Sequence, residues 1–215
     1  MTTPTAFAVA FMALCGLATA FVLEGSQTSY AQFKRWKPSL HNSTISFEYQ
    51  TNQPNGILLY MDDGGYYDFL ELKLVEGRVR LRYNFGAGPR VITLGAPANG
   101  DGRRWNKVTF VRDGTRTRLR VNEDERALAD RESSLAEHAR FGNVTRNSHV
   151  YVGGLPAWYA GRLSSLALPS VVFEPRYRGA IRNLVYADEG SLNGTPRRQE
   201  IIAYTVRPSV IQVHV

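Results

Sequence analysis

The alternation of apolar and polar residues predicts a chain built mainly of β-strands. Ile45, Phe47 and Tyr49 alternate with polar residues, which is the period of a strand with one buried face. A turn signal at residues 53–56 precedes an apolar run at residues 57–60. Further strands are predicted at 150–152, 163–168 and 178–186, and one helix at 127–139. Short strands separated by regular turns are typical of an all-β, antiparallel sandwich.

The clearest hairpin pattern flanks Glu76-Gly77. A two-residue turn there places six apolar residues on one face, in the pairs Leu74–Val79, Leu72–Leu81 and Leu70–Tyr83. The opposite, outer face then carries charged cross-strand pairs, which are Lys73–Arg80 and Glu71–Arg82.

A second hairpin is predicted around a tight Asp113-Gly114 turn. Its inner pairs are Val108–Leu119 and Phe110–Thr117, and its outer pairs are Lys107–Arg120, Thr109–Arg118 and Val111–Arg116. A change of one residue in the loop would move every side chain to the other face, so the assignment depends on this turn.

The two ends of the chain differ from its body. Residues 1–20 carry no charged side chain and end in Ala18-Thr19-Ala20, which predicts a secretory signal peptide cleaved before Phe21. The alternative is a membrane anchor, but the apolar run at 6–17 is shorter than the about 20 residues that a spanning helix needs. No later segment is apolar enough to predict a transmembrane helix. Residues 21–190 form one predicted domain, and residues 191–215 a tail, either truncated or adding an edge strand.

Other residues fit a secreted chain. The single cysteine, Cys15, lies in the predicted signal peptide, so the domain is expected to fold without a disulfide. Three Asn-X-Ser/Thr acceptors predict a glycoprotein, with sites at Asn42, Asn143 and Asn193.

The chain is basic, with a formal net charge of +7. Two predicted strands carry arginines at alternate, outward positions, namely Arg78, Arg80, Arg82 and Arg116, Arg118, Arg120. If the two faces adjoin, they form a basic patch that would attract an acidic glycan such as heparan sulfate. The alternative is a solvated sheet face that discourages edge pairing. Nucleic acid is disfavoured because the chain is predicted to be secreted.

Catalytic patterns are weak, and the sequence predicts a protein that is not an enzyme. The four histidines are scattered, and neither a Gly-X-Ser-X-Gly elbow nor a phosphate loop is present. Asp62, Asp63 and Asp68 surround a Gly-Gly turn, where Asp62 and Asp68 could serve glycoside hydrolysis or all three could be solvated turn residues. The tryptophans are expected in core or rim packing.

Four stretches occur in the order of a known extracellular domain: "NGILLYMDDGGYYDFLELKLVEGRVRLRYNFG", "DGRRWNKVTFVRDGTRTRLRV", "VYVGGLP" and "YRGAIRNLVY". Over residues 21–190 the chain resembles the laminin G, or LNS, domain family, in particular the first LNS domain of invertebrate neurexins. The resemblance implies a jelly-roll-like sandwich of the laminin G and concanavalin type, with binding loops along one rim. It also implies recognition or adhesion through extracellular or synaptic cell-surface proteins. The alternatives are a glycan-binding lectin and a structural spacer.

The resemblance also implies a calcium site. In calcium-binding LNS domains the residue before the "FLEL"-like strand is a ligating aspartate, here Asp68, and a backbone carbonyl after the next strand falls on Phe85. A further ligand comes from the loop before the "VGG" strand, at Gly142 or Asn143. Calcium prefers such oxygen ligands. This loop looks longer than is usual in the family, and a glycan on Asn143 would compete with ligation.

Overall fold

The computed structural model describes residues 20–36, 42–95, 102–129, 147–188, 197–198 and 201–204. Within these ranges the backbone forms strands and short 3₁₀ helices, without an α-helix. The strands are β1 (Ala20–Glu24), β2 (Ala31–Phe33), β3 (Asn42–Gln50), β4 (Gly56–Asp62), β5 (Phe69–Val75), β6 (Arg78–Asn84), β7 (Arg90–Leu94), β8 (Asn106–Asp113), β9 (Arg116–Val121), β10 (Asp124–Ala129), β11 (Val150–Val152), β12 (Arg178–Asp188), β13 (Arg197–Arg198) and β14 (Ile201–Tyr204). The 3₁₀ helices are Ala157–Gly161, Leu163–Ser165 and Pro169–Phe173.

The strands form two antiparallel sheets, which confirms the predicted sandwich. The first sheet has the order β1-β12-β3-β8-β9-β10, with β13 also paired to β12. The second has the order β14-β2-β11-β4-β5-β6-β7. Alternate side chains of both sheets meet in one core, for example Phe47 and Phe110 from the first sheet and Leu72 and Leu81 from the second. Their removal from water is the main force that holds the sheets together.

The first hairpin has the predicted register. Leu74 pairs with Val79, Leu72 with Leu81, and Leu70 with Tyr83. Glu76 and Gly77 have φ angles of 52° and 78°, and a type I′ turn requires positive φ at both central residues. The turn and the hydrophobic pattern therefore agree.

The second hairpin was predicted with the wrong register. Val108 pairs with Val121 and Phe110 with Leu119, which is two residues from the predicted pairing. The turn lies at Gly114 and Thr115, because Asp113 remains paired with Arg116 in the ladder. Since side chains alternate with a period of two, a shift of two residues leaves every side chain on the predicted face.

One other predicted element is wrong, and a second is wrong at its start. Leu163–Ser165 forms a 3₁₀ helix, where a strand was predicted at 163–168. The predicted helix at 127–139 begins inside strand β10, which pairs with β9 through Ala129; its residues 130–139 lie outside the described ranges. The predicted strand at 163–168 rested on a short apolar pattern, in which helical and strand periods overlap.

Residues 155–174, called here the covering segment, lie over the outer face of the second sheet. A second apolar cluster forms between the sheet and this segment, and it consists of Ile57, Tyr60, Phe69 and Tyr151 from the sheet with Leu155, Tyr159, Leu166, Leu168 and Val171 from the covering segment. Glu71 and Lys73, predicted on an open outer face, are therefore buried, with 0% and 5% exposure. Lys73 forms ion pairs with Glu71 and with Glu174 of the covering segment.

Candidate functional site

The hairpin of β5 and β6 brings two of the predicted calcium ligands to the same end of the second sheet. Phe69 pairs with Asn84, so Asp68 and Phe85, one residue beyond each, lie opposite one another. The ring of Phe85 packs into the core, 5.0 Å from the ring of Tyr83. The fixed ring holds the Phe85 backbone at the rim.

The turn after β6 is shaped by Asn84. Its side-chain oxygen Oδ1 accepts hydrogen bonds from the backbone N–H groups of Gly86 and Gly88, each at 3.1 Å. These bonds define the backbone path directly after the Phe85 carbonyl.

Asp63 organises the loop between β4 and β5. Its carboxylate accepts hydrogen bonds from the backbone N–H groups of Tyr66, Tyr67 and Asp68 at 2.8 to 3.0 Å. The Asp63 N–H in turn donates to the Asp68 carbonyl at 3.0 Å. Asp63 is 6% exposed, so the interpretation as a solvated turn residue is wrong for it. An aspartate that bonds backbone N–H groups a few residues later is a common loop device, and the Asp-Gly-Gly sequence could have indicated it.

Asp62 connects β4 to the covering segment and is fully buried. Its Oδ2 accepts hydrogen bonds from the Tyr60 hydroxyl at 2.7 Å and from the Ala167 N–H at 3.0 Å. Its Oδ1 accepts from the Gly64 N–H at 3.0 Å. Burial raises the pKa of Asp62, although the same hydrogen bonds oppose the shift. Asp62 is therefore a structural anchor and not a solvated residue.

The described members of the predicted calcium site suit the ion. The Asp68 carboxylate and the Phe85 carbonyl are the mixed oxygen ligands that calcium prefers. Gly142 and Asn143 lie outside the described ranges. No group of three or more His, Cys, Asp or Glu residues with metal-binding geometry occurs among the residues that the structure describes.

The structure does not bring the two arginine rows together. Arg78, Arg80 and Arg82 lie on β6 of the second sheet, whereas Arg116, Arg118 and Arg120 lie on β9 of the first sheet. Both rows alternate with core residues, so they point away from the core on opposite sides of the sandwich. The condition for one continuous patch is not met.

One arginine in each row already has an acidic partner. Arg82 approaches Glu71 at 3.5 Å, and Arg120 contacts Glu125 at 2.8 Å. The cross-strand pair of Glu71 with Arg82 was predicted from the sequence and is confirmed. The burial of its carboxylate under the covering segment was not predicted.

The remaining predicted sites are placed only in part. Asn42 is exposed at the first position of β3, as a glycan acceptor must be, whereas Asn143 and Asn193 lie outside the described ranges.

In the described part of the chain, no helix is both long and apolar enough to cross a bilayer. Trp36 belongs to the core and stacks on Tyr186 at 4.5 Å, but Trp158 is 52% exposed.

Sequence and structure comparisons agree on one family. A family model described as "Laminin G domain" matches residues 50–189. Neurexin 1 of Drosophila melanogaster is 51% identical over 185 residues, which make up 86% of this chain and 10% of that protein. Neurexin-2 of Homo sapiens is 37% identical over 173 residues, which make up 80% of this chain and 10% of that protein. The chain therefore spans about a tenth of the length of these relatives.

A solved structure supports the same assignment. Domains LG4-5 of the mouse laminin alpha1 chain superpose with a TM-score of 0.59 and 26% sequence identity, covering 79% of this chain and 40% of that one. The chain therefore belongs to the laminin G domain family, as an LNS domain of the neurexin type and a non-enzymatic adhesion and recognition module.

Proposed function

We propose that this domain acts outside the cell by binding cell-surface or synaptic proteins. The observation that carries the proposal is membership of the neurexin type of LNS domain, combined with a rim whose loops are held by specific hydrogen bonds. Loops positioned by a rigid sandwich are the usual place for binding residues. The whole of a neurexin is much longer than this chain, so its partners are carried over only as a hypothesis.

Calcium is proposed as the ion of this rim. Asp68 would supply the carboxylate, Phe85 a backbone carbonyl, and Gly142 or Asn143 the oxygen from the neighbouring loop. A bound cation would supply positive charge at the rim, where a partner could approach with its own oxygen atoms. Asp63 contributes indirectly, because its hydrogen bond to the Asp68 N–H fixes the backbone of the ligand.

A heparan sulfate site is the second candidate, and the row Arg78, Arg80 and Arg82 supports it. Consecutive outward residues of a strand are spaced about 6.6 to 6.8 Å apart, so the row presents a line of cations. A row of this kind attracts a sulfated chain by summed, salt-dependent interactions. The row on β9 would be a separate site, because it lies on the opposite side of the sandwich.

The extracellular space is the compartment that we propose for this chain. The neurexin and laminin relatives are consistent with an extracellular or cell-surface location. The predicted signal peptide at residues 1–20 and the exposed acceptor Asn42 support the same location.

The proposed function can be tested with the secreted protein and a panel of purified synaptic ectodomains, with heparin as a further ligand. Each interaction would be measured by surface plasmon resonance, with calcium and with a chelator. We expect at least one ectodomain to bind in a calcium-dependent manner, and Asp68→Ala to weaken that binding. Binding of heparin alone would favour the glycan function. Absence of any binding would leave a structural spacer.

A further inference from the structure

The covering segment carries an exposed tryptophan that is held in one position. Trp158 is 52% exposed, yet its ring stacks on Tyr159 with the centroids 3.8 Å apart and the planes inclined at 25°. Tyr159 is buried, and its hydroxyl lies 3.3 Å from the hydroxyl of Tyr151 in β11. A partner that contacts Trp158 would therefore lose little side-chain entropy in ordering it.

An arginine accompanies this tryptophan. The Arg162 guanidinium lies over the Trp158 ring, 5.7 Å from its centroid, and the residue is exposed. No carboxylate among the described residues forms an ion pair with Arg162. The carboxylates of Asp62 and Asp63, in and after β4, are buried and accept hydrogen bonds from the backbone. The positive charge of Arg162 is thus available to a ligand.

The loop between β4 and β5 contacts the covering segment. A Cβ atom added to Gly65 would lie 2.8 Å from the carbonyl oxygen of Ser164, so the loop between β4 and β5 touches the covering segment directly. Tyr66 and Tyr67 follow Gly65 and are 64% and 74% exposed. Arg162 is two residues from Ser164 in the chain, so this contact fixes the backbone of the covering segment close to Arg162.

We infer that Trp158 and Arg162 form a docking surface for an acidic protein segment, one that places a carboxylate next to an apolar side chain. The inference rests on the proposed protein-binding function and names the surface and the chemistry of its partner. Tryptophan, tyrosine and arginine are the residues most enriched at the energetic centres of protein interfaces. The carboxylate would pair with Arg162, and the apolar side chain would pack on the exposed Trp158 ring.

A polyanionic glycan fits this surface less well. Such chains are held by several cations acting together, whereas this surface offers Arg162 among large aromatic side chains. The row on β9 lies on the opposite side of the sandwich. The row on β6 shares the outer face of the second sheet, but its Arg82 is already close to Glu71. The aromatic residues and the exposed Arg162 favour a protein segment with few charges.

A displayed library of random 12-residue peptides tests the inference. Selection would use the immobilised secreted protein, with a chelator present so that a calcium rim does not contribute. We expect enriched peptides to carry Asp or Glu within two residues of an aromatic or aliphatic residue. The dissociation constant of an enriched synthetic peptide should rise about tenfold or more in Trp158→Ala and in Arg162→Ala, the loss typical of interface centres. Arg178→Ala, which removes an exposed arginine on β12, is the matched control and should bind like the parent.

A charge reversal keeps the test decisive if Trp158→Ala perturbs folding. Arg162→Glu leaves the aromatic residues in place and should abolish binding of acidic peptides. Selection of peptides without carboxylates, equal binding to Arg162→Ala and the parent, or displacement by the heparin chain alone would each overturn the inference. Calcium-dependent ectodomain binding that requires Asp68 would still stand in those cases, so failure here is distinct from failure of the proposed function.

Discussion

The buried carboxylate of Asp62 allows a quantitative test of how the covering segment is held. Asp62→Asn keeps the size of the side chain and removes one of its two acceptor oxygens. The backbone N–H groups of Gly64 and Ala167 bond to different oxygens of the carboxylate. An asparagine has one carbonyl oxygen, so in either orientation its NH₂ group faces one of these donors.

The expected loss of stability follows from the backbone N–H group that faces the asparagine NH₂ group and has no acceptor. Leaving a buried donor unsatisfied costs about 1–3 kcal/mol of unfolding free energy. For a domain of this size, each kcal/mol lowers the melting temperature by roughly 2–4 °C, so we expect a decrease of about 2–12 °C. Asp62→Ala removes the acceptor for the Tyr60 hydroxyl as well and should cost about 3 kcal/mol or more.

Urea unfolding followed by tryptophan fluorescence measures the change, and amide hydrogen exchange locates it. Faster exchange should be found at Ala167 or Gly64 in Asp62→Asn. Asp124→Asn is the matched control, since Asp124 is exposed on β10 and the substitution is chemically identical. It should alter stability by no more than about 0.5 kcal/mol. If Asp62→Asn unfolds like Asp124→Asn, and both amides remain protected, the anchoring role of Asp62 is wrong.

The stability difference between the wild type and Asp62→Asn should depend on pH with a defined sign. Burial raises the pKa of Asp62 in the folded protein above that in the unfolded chain. The stability linked to this shift is therefore fully present below the unfolded pKa, about 3.9, and is lost as the pH rises through the folded pKa. The difference between wild type and Asp62→Asn should thus be larger at about pH 4 than at pH 7. A difference that shrinks on acidification would indicate a carboxyl whose pKa is lowered by folding.

Three further predictions concern the calcium site, the arginine rows and secretion. Millimolar calcium should raise the melting temperature by mass action, and Asp68→Ala should abolish the rise, whereas Asp113→Ala should keep it. Replacing Arg78, Arg80 and Arg82 by Ser should lower the salt at which the protein elutes from heparin without abolishing retention, because the row on β9 remains; unchanged elution would exclude the β6 row. Amino-terminal sequencing of the secreted product should begin at Phe21, and a sequence beginning at Met1 would show that the signal peptide is not cleaved.

The outcome for the two hairpins shows what the sequence could predict. Leu70, Leu72 and Leu74 lie on one face whatever their neighbours are, because side chains alternate along any strand. Exact pairing depends on the turn, and Glu76-Gly77 specified it clearly. Gly114 could occupy either of two turn positions, and the pairing moved by two residues while the faces stayed correct.

The environment of Glu71 and Lys73 could not be predicted in the same way. Their charges and their alternation with leucine indicate a solvent-exposed face. Both are buried because the covering segment, more than 80 residues later in the chain, lies over them. The same tertiary contact buries Asp62 and leaves Trp158 exposed. Local patterns carry no information about such distant packing, so this part of the candidate site required the structure.

The covering segment is a single continuous stretch between β11 and β12. This continuity has a consequence for how the surface of the domain can change in sequence. Substitutions at its outward positions, such as Trp158 and Arg162, change the chemistry of a whole face without altering the order of the strands. The apolar residues that pack against the sheet and the polar anchors Asp62 and Glu174 need to persist. Related domains can therefore acquire new recognition properties here through point mutations, while the sandwich beneath retains its stability.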